Sequence, residues 1–252
     1  MNALQTLNSP TAQSAELMVF PHAGGSPRFY RHWPSALPWI RLVGVLYAGR
    51  ERRLADPLAS SVEAIAEEVA DEATRRPDPC PLVLFGHSFG ALVAYQTALA
   101  LGRRGKPADL LVISGHDAPT AGCRHGDGRG DDELLADLFR LDSRNRLVFA
   151  DPELRAIYLP AVRNDYELAD RYVPDRGAPR VARIAVVNGV ADPEVTREGA
   201  AGWAGFADRF LGEALVPGGH FHHADPHLGC AQRVTQLIKG LRPARQDREG
   251  VA

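Results

Sequence analysis

The chain has 252 residues, of which 45% are hydrophobic and 24% charged, a composition typical of a globular protein and too apolar for a disordered one. Its formal net charge of −2 excludes a strongly basic protein that would bind nucleic acid or an anionic membrane. No apolar run approaches the roughly 18 residues that span a bilayer, and the N-terminus lacks a basic start followed by an apolar stretch. We therefore expect a cytoplasmic protein without a secretory signal or a membrane span.

The cysteines are few, odd in number and far apart. Cys80, Cys123 and Cys230 have neither the spacing of a disulfide framework nor that of a zinc knuckle. We expect them to be free thiols in a reducing compartment.

Short apolar runs bounded by turn residues predict strands along the chain. The predicted strands are 17–20, 41–47, 81–86, 108–115, 182–189 and 213–219. Helical spacing of apolar residues predicts helices between them, and Ser60 with Glu63 resembles a capping box at the start of the first. The predicted helices are one from about residue 62, one over 89–103, one over 202–210 and a last one around 234–238.

Strands that alternate with amphipathic helices indicate an α/β protein with a mostly parallel sheet and helices on both faces. We expect a single domain over residues 16–242, with a flexible arm at 1–15 and a flexible tail at 243–252. Residues 117–181 interrupt the alternation and contain two helical patterns, 131–141 and 152–172. Because so long a loop without secondary structure is improbable, we interpret this stretch as a helical lid insertion.

The sharpest motif is G-x-S-x-G at residues 86–90, directly after an apolar strand and directly before a helix. This context is typical of the nucleophile turn of the α/β-hydrolase fold. Gly86 and Gly90 allow the strand and the helix to approach closely, which leaves Ser88 at the tip of the turn with its hydroxyl accessible. Ser88 is therefore the candidate nucleophile.

A serine hydroxyl needs a base, and the base needs a carboxylate that orients it. His220 follows the last predicted strand and two glycines, and is the candidate base. Asp192 lies just beyond the strand that ends at Gly189, and the order Ser88, Asp192, His220 is the one α/β-hydrolases use. Asp117 also follows a strand and remains an alternative acid.

Further histidines follow the candidate base, at positions 222, 223 and 227. No second cluster of metal-ligating residues accompanies them, so we expect no metal site. We interpret these three as surface residues or as supports of the base.

Acyl transfer also requires an oxyanion hole. One donor would be the backbone N–H of Phe89, the residue after the nucleophile. The second would come from the glycine-rich loop 21–26 after the first predicted strand, where Ala23 is the candidate.

Taken together, these segments resemble the type II thioesterases that accompany polyketide synthases and nonribosomal peptide synthetases. The resemblance covers about residues 16–240. Its matching segments include FPHAGGS at 20–26, AGRERR at 48–53, GHSFGA at 86–91, NDY at 164–166 and PGGHF at 217–221. GHSFGA alone indicates only a hydrolase, and the first, second and last segments together are much more specific. The chain departs from the family pattern at Ala48 and at His116-Asp117, and the second departure is one reason to keep Asp117 as an alternative acid.

The resemblance implies a stand-alone enzyme that hydrolyses acyl thioesters on the phosphopantetheine arm of acyl or peptidyl carrier proteins, which would remove aberrant or stalled chains. It implies a catalytic triad of Ser88, Asp192 and His220, and no cofactor. Arg50, Arg52 and Arg53 would either contact an acidic carrier protein or form a solvated basic face.

Other functions are compatible with the same motifs. A carboxylesterase, a lipase or a fatty-acyl carrier thioesterase would use the same triad. A non-catalytic α/β-hydrolase-fold binding protein is the alternative of another class. We expect a monomer.

Overall fold

The computed structural model describes residues 2–76, 80–119 and 130–241. The predictions for Cys123 and for the tail 243–252 lie outside these residues. The strands are β1 Leu4–Thr6, β2 Ala15–Phe20, β3 Ile40–Val45, β4 Leu82–His87, β5 Leu110–Ser114, β6 Val181–Gly189 and β7 Ala207–Val216. The helices are α1 Trp33–Ala36, α2 Val62–Thr74, α3 Phe89–Arg103, α4 Asp131–Leu141, α5 Asn145–Phe149, α6 Pro152–Arg171, α7 Arg197–Gly202 and α8 Cys230–Lys239.

The strands form one sheet in the order β1-β3-β2-β4-β5-β6-β7. All neighbours are parallel except β1 and β3. In the register between β2 and β4, Phe20 lies beside Gly86, so the glycine-rich loop after β2 and the G-x-S-x-G turn after β4 leave the sheet side by side.

Helices cover both faces of the sheet, as the sequence predicts. Along β2, Met18 and Phe20 pack toward α2 and α3, while Leu17 and Val19 pack toward α1 and α8. A strand buried on both faces has no polar alternation, which explains why these strands are continuous apolar runs in the sequence.

The prediction of a flexible arm at 1–15 is wrong for Leu4–Thr6, which pairs antiparallel with β3. The carboxylate of Glu72 in α2 also accepts the backbone N–H groups of Ala3 at 2.7 Å and Leu4 at 3.2 Å. Three residues are too few to show a hydrophobic period, so the strand has no signal in the sequence.

The helix predicted over 202–210 is wrong as well. Helix α7 ends at Gly202, a 3₁₀ turn spans Trp203–Phe206, and β7 begins at Ala207. Trp203 is fully buried against Tyr95 of α3. The aromatic residues of this stretch recur at helical spacing in the sequence because they face the core, although the backbone is not α-helical there.

The start of α2 differs by one residue from the predicted capping box. Ser61, not Ser60, is the N-cap residue, and its hydroxyl accepts the N–H of Ala64 at 3.0 Å. The cap satisfies one of the N–H groups that a helix leaves free at its start.

Helices α4, α5 and α6 lie between β5 and β6, in the stretch predicted as an insertion. Leu134, Leu138, Leu159 and Val162 form a small apolar cluster of their own. Helix α5 was not predicted, because five residues do not establish a helical period. Within the described residues, no helix is both long and apolar enough to cross a membrane.

Candidate active site

Ser88 lies between β4 and α3 in a strained conformation, with φ +55°, which few residues other than glycine adopt. The backbone around it is crowded. A Cβ atom on Gly86 would collide with the backbone of Gly90 and Ala91, and one on Gly90 would collide with the carbonyls of Phe20 and Pro21. Only glycine therefore fits on both sides of the turn, which holds Ser88 at its tip.

His220 and Asp192 form a pair on two adjacent loops. His220 Nδ1 lies 2.9 Å from Asp192 Oδ1 and 3.0 Å from Oδ2, and both side chains are buried. Since a carboxylate only accepts, Nδ1 carries a proton, and Nε2 is the ring nitrogen left to accept one. The ring of His220 lies 4.8 Å from that of His87, the residue before Ser88.

Backbone contacts between the two loops explain this pairing. The N–H of Val190 donates to the carbonyl of Val216, and the N–H of Ala191 donates to that of Gly218. A Cβ on Gly189 would lie 2.5 Å from the carbonyl oxygens of Gly218 and Gly219, so glycine at the end of β6 permits the close approach.

The electrostatics favour an ionised Asp192. Burial alone would raise its pKa, but the hydrogen bond and charge of His220 and the N–H of Glu194, at 3.0 Å, lower the pKa below its usual value. The carboxylate therefore stays negative at neutral pH beside the ring that it orients.

Asp117, the alternative acid, has different partners. Its carboxylate accepts the N–H and the hydroxyl of Thr196, at 2.9 and 3.1 Å, and lies against Gly199 in the first turn of α7. Thr196 is the N-cap residue of that helix. The carboxylate that meets His220 is that of Asp192.

The two candidate oxyanion donors have no acceptor within the part of the chain that the structure describes. Among the described residues, neither the N–H of Ala23 nor that of Phe89 donates a hydrogen bond. Phe89 is the first residue of α3, where a helix leaves its N–H groups unpaired. The loop that carries Ala23 is anchored by Tyr47, whose hydroxyl donates to the carbonyl of Pro21 at 3.0 Å.

A hydrogen-bonded chain, which the sequence did not indicate, joins the loop of His220 to the turn of Ser88. His222 Nδ1 lies 3.0 Å from the carbonyl of Gly219, His222 Nε2 lies 3.1 Å from Ser114 Oγ, and Ser114 Oγ lies 3.0 Å from His87 Nδ1. Because the carbonyl only accepts, Nδ1 of His222 donates to it. The hydroxyl of Ser114 then donates to His222 and accepts from His87.

The extra histidines are predicted to be either surface residues or supports of the base. His222 and His223 are buried and so are not surface residues, while His227 is exposed. Burial, followed by the charge of His220 and of Arg50, lowers the pKa of His22 to about 3. Burial also lowers the pKa of His87, His222 and His223. These rings are neutral at pH 7, and no three metal-ligating side chains of the described residues are grouped around an ion site.

The arginines proposed as carrier contacts are mostly unavailable. Arg50 and Arg53 are buried, the first paired with Asp165 and the second with Glu68. Arg52 is exposed and donates to the carbonyls of Asn2 and Leu4. A basic run in the sequence does not reveal that two of its members face inward.

A model of the thioesterase domain family matches residues 15–238. The chain belongs to the thioesterase family. It is 32% identical over 248 residues to a probable cadicidin biosynthesis thioesterase of Streptomyces griseus, a match covering 96% of this chain and 66% of that protein. It is 33% identical over 220 residues to thioesterase PikA5 of Streptomyces venezuelae, covering 86% of this chain and 78% of the relative.

Among solved structures, the chain is similar to YbtT, a type II thioesterase from the yersiniabactin NRPS/PKS biosynthetic pathway. The TM-score is 0.84 at 26% sequence identity, and the match covers 95% of this chain and 98% of that one. The α/β-hydrolase fold and the resemblance to type II thioesterases are thereby confirmed.

Proposed function

We propose that this thioesterase hydrolyses acyl thioesters on the phosphopantetheine arm of carrier proteins in a polyketide or nonribosomal peptide synthase. The observation that carries the proposal is the buried pair of His220 and Asp192 beside the strained turn of Ser88. Family membership and the likeness to a type II thioesterase give the substrate class.

The chemistry proceeds by an acyl-enzyme. Ser88 Oγ attacks the thioester carbonyl while its proton passes to His220 Nε2, and the negative charge on the carbonyl oxygen is stabilised by the N–H groups of Ala23 and Phe89. The carbon–sulfur bond breaks, and the proton moves from His220 to the leaving thiol. Water then attacks the acyl-enzyme carbonyl as it gives a proton to the same nitrogen. That proton passes to Ser88 Oγ when its bond to the acyl carbon breaks, which releases the acid and restores the serine hydroxyl.

Asp192 contributes by position and charge. It holds the proton of His220 on Nδ1, so that Nε2 faces the reaction as a base, and it stabilises the imidazolium that forms during each step. Neither step requires a metal ion or a cofactor.

Steady-state hydrolysis of two matched substrates tests the proposal. One is a short acyl group on a carrier protein or on pantetheine, and the other is the corresponding oxygen ester. We expect the wild type to prefer the carrier-bound thioester and Ser88→Ala to lose that activity. Ser35→Ala, which removes an exposed serine of α1, is the matched control and should keep it.

The alternatives give different results. Turnover of the oxygen ester alone would favour a carboxylesterase or lipase. A preference for long fatty-acyl carriers would favour a fatty-acyl thioesterase. If neither substrate reacts and a fluorophosphonate fails to label Ser88, the chain is a binding protein and the proposed function is wrong.

A further inference from the structure

Two buried charges lie beside the loop of the proposed oxyanion hole. Asp165 of α6 is 1% exposed and Arg50 is 4% exposed. Arg50 Nη1 donates to Asp165 Oδ2 at 2.7 Å and Nη2 donates to Oδ1 at 3.0 Å, the two-bond geometry of a guanidinium with a carboxylate.

Both members of this pair also bind the loop 21–26. Asp165 Oδ2 accepts the N–H of Gly24 at 2.8 Å, and Arg50 Nη1 donates to the carbonyl of Gly25 at 3.2 Å. The N–H of Gly25 donates to the carbonyl of His22 at 2.8 Å. Of the consecutive N–H groups of Ala23, Gly24 and Gly25, two are therefore engaged, and that of Ala23 has no acceptor in residues 2–76, 80–119 and 130–241.

Gly24 is also pressed against the insertion. It has φ +71°, and a Cβ atom in its place would lie 2.5 Å from Cγ2 of Val162, one turn before Asp165 in α6. The position of α6 and the conformation of the loop are thus coupled by the hydrogen bond from Gly24 to Asp165 and by the packing of Gly24 against Val162.

We propose that Arg50 and Asp165 are positioning residues of the oxyanion hole. They hold Gly24 and Gly25 so that the N–H of Ala23 faces the reacting carbonyl, and they make this geometry depend on the seating of α6. The inference rests on the proposed function.

Stability alone is a poor explanation for such a pair. Removing two charges from water carries a large desolvation cost, and apolar residues of similar size often stabilise a fold as well or better. Here each charge has a second partner in the same loop. Since the worth of an oxyanion donor depends on its alignment, a displaced Ala23 N–H should slow the chemical step more than it weakens substrate binding.

Asp165→Asn tests the inference, because it keeps the shape of the side chain and removes its charge and one acceptor. We expect kcat for the acyl thioester to fall about 10- to 100-fold while KM changes less than about threefold. Arg50→Lys, which keeps the charge but loses the two-bond geometry, should give a smaller loss of kcat.

A second measurement separates the oxyanion hole from general loosening of the fold. Ser88 Oγ adds to the carbonyl carbon of a trifluoromethyl ketone that carries the same acyl chain. The proton of the serine hydroxyl passes to His220, and the carbonyl oxygen becomes a negative oxygen in the hole. Asp165→Asn should weaken the inhibition constant of this ketone by the same factor as kcat. The same variant should leave unchanged the affinity of the analogue in which a CH₂ group replaces the ketone carbonyl, because that analogue forms no adduct.

Glu68→Gln is the matched control. Glu68 pairs at 2.6 Å with Arg53, a buried arginine three residues from Arg50. Among the hydrogen bonds of the described residues, none joins the side chains of this pair to loop 21–26. We expect the control to keep both kcat and ketone affinity. The inference is overturned if folded Asp165→Asn keeps wild-type kcat and ketone affinity, or if Glu68→Gln loses them equally.

The proposed function can fail separately. If the wild type cleaves only oxygen esters, the substrate class is wrong, and the same variants tested with the ester and the ketone still decide the role of Arg50 and Asp165. If the wild type reacts with neither substrate and does not bind the ketone covalently, both proposals are overturned.

Discussion

His222 and Ser114 share a hydrogen bond of 3.1 Å between elements that lie 108 residues apart in the sequence. The bond is the central link of the chain from Gly219 to His87, and it fixes the loop of His220 relative to the turn of Ser88. The loop that carries the base and the turn that carries the nucleophile are therefore joined by buried hydrogen bonds outside the proposed triad itself.

Ser114→Ala should break this connection. It leaves His87 Nδ1 without an acceptor and His222 Nε2 without a donor, both buried, and should lower the free energy of unfolding by about 2–4 kcal/mol. Thr97→Val is the control, because the hydroxyl of Thr97 is also buried but donates only to the carbonyl of Val93 within its own helix. Urea unfolding measures the free energy of unfolding of both variants. Equal small losses of stability would show that the hydrogen bonds from Gly219 to His87 contribute little to it.

Replacing the two candidate acids should separate them. Asp192→Asn should reduce kcat by a factor on the order of 10³ to 10⁴, since the amide no longer selects the ring form that accepts the serine proton. Asp117→Asn should retain most activity and lower stability by about 1 kcal/mol, because it weakens the bonds to the start of α7. Single-turnover hydrolysis compares the variants, and the reverse pattern would make Asp117 the acid.

Gly90→Ala should prevent normal folding or destabilise the chain by about 3 kcal/mol, because the new methyl group meets two backbone carbonyls that cannot turn aside. Gly102→Ala lies in the same helix, where a Cβ atom finds nothing within 4 Å. It should raise stability by about 0.5–1 kcal/mol through better helix propensity. Thermal unfolding of the two variants should therefore shift in opposite directions.

Stability should fall when the pH drops below about 6.5. His22, with a pKa of about 3, stays neutral in the folded chain between these values, whereas in the unfolded chain it binds a proton below its ordinary pKa of 6.5. The unfolded state then holds more protons, so the free energy of unfolding decreases on acidification, by about 1.4 kcal/mol per pH unit for each histidine that stays neutral. The lowered pKa values of His87, His222 and His223 act in the same direction.

Urea unfolding at a series of pH values from about 8 to 5 checks this. His223→Leu should make the dependence shallower by about 1.4 kcal/mol per pH unit. His227→Gln, at an exposed position, should leave it unchanged. A flat profile for the wild type would mean that the rings are not held neutral.

The sequence predicted the parts of the fold that depend on local pattern. Strands buried on both faces are continuous apolar runs, and they were placed within a few residues. Strand β7 is only partly buried, and its polar Asp208 and Arg209 interrupt the apolar pattern, so its first residues, 207–210, fall in the helix that the sequence predicts.

The candidate site also has one part that local sequence patterns predict and another part that they do not. Ser88, Asp192 and His220 could be selected because each follows a strand, and parallel strands end on one side of a sheet. The pairing of Arg50 with Asp165 spans 115 residues, and no local pattern encodes such a contact. The segments around both residues resembled family signatures, but the resemblance gave them no physical role until their side chains were seen to meet.

Strand β1 has a practical consequence for shortened forms of the chain. The family match begins at residue 15, yet β1 covers the outer row of β3 backbone groups. A chain cut back to that boundary would leave those N–H and C=O groups open to pair with a second molecule. Self-association that grows with concentration, measured by light scattering, would then arise from the truncation and would say nothing about the oligomeric state of the full sequence.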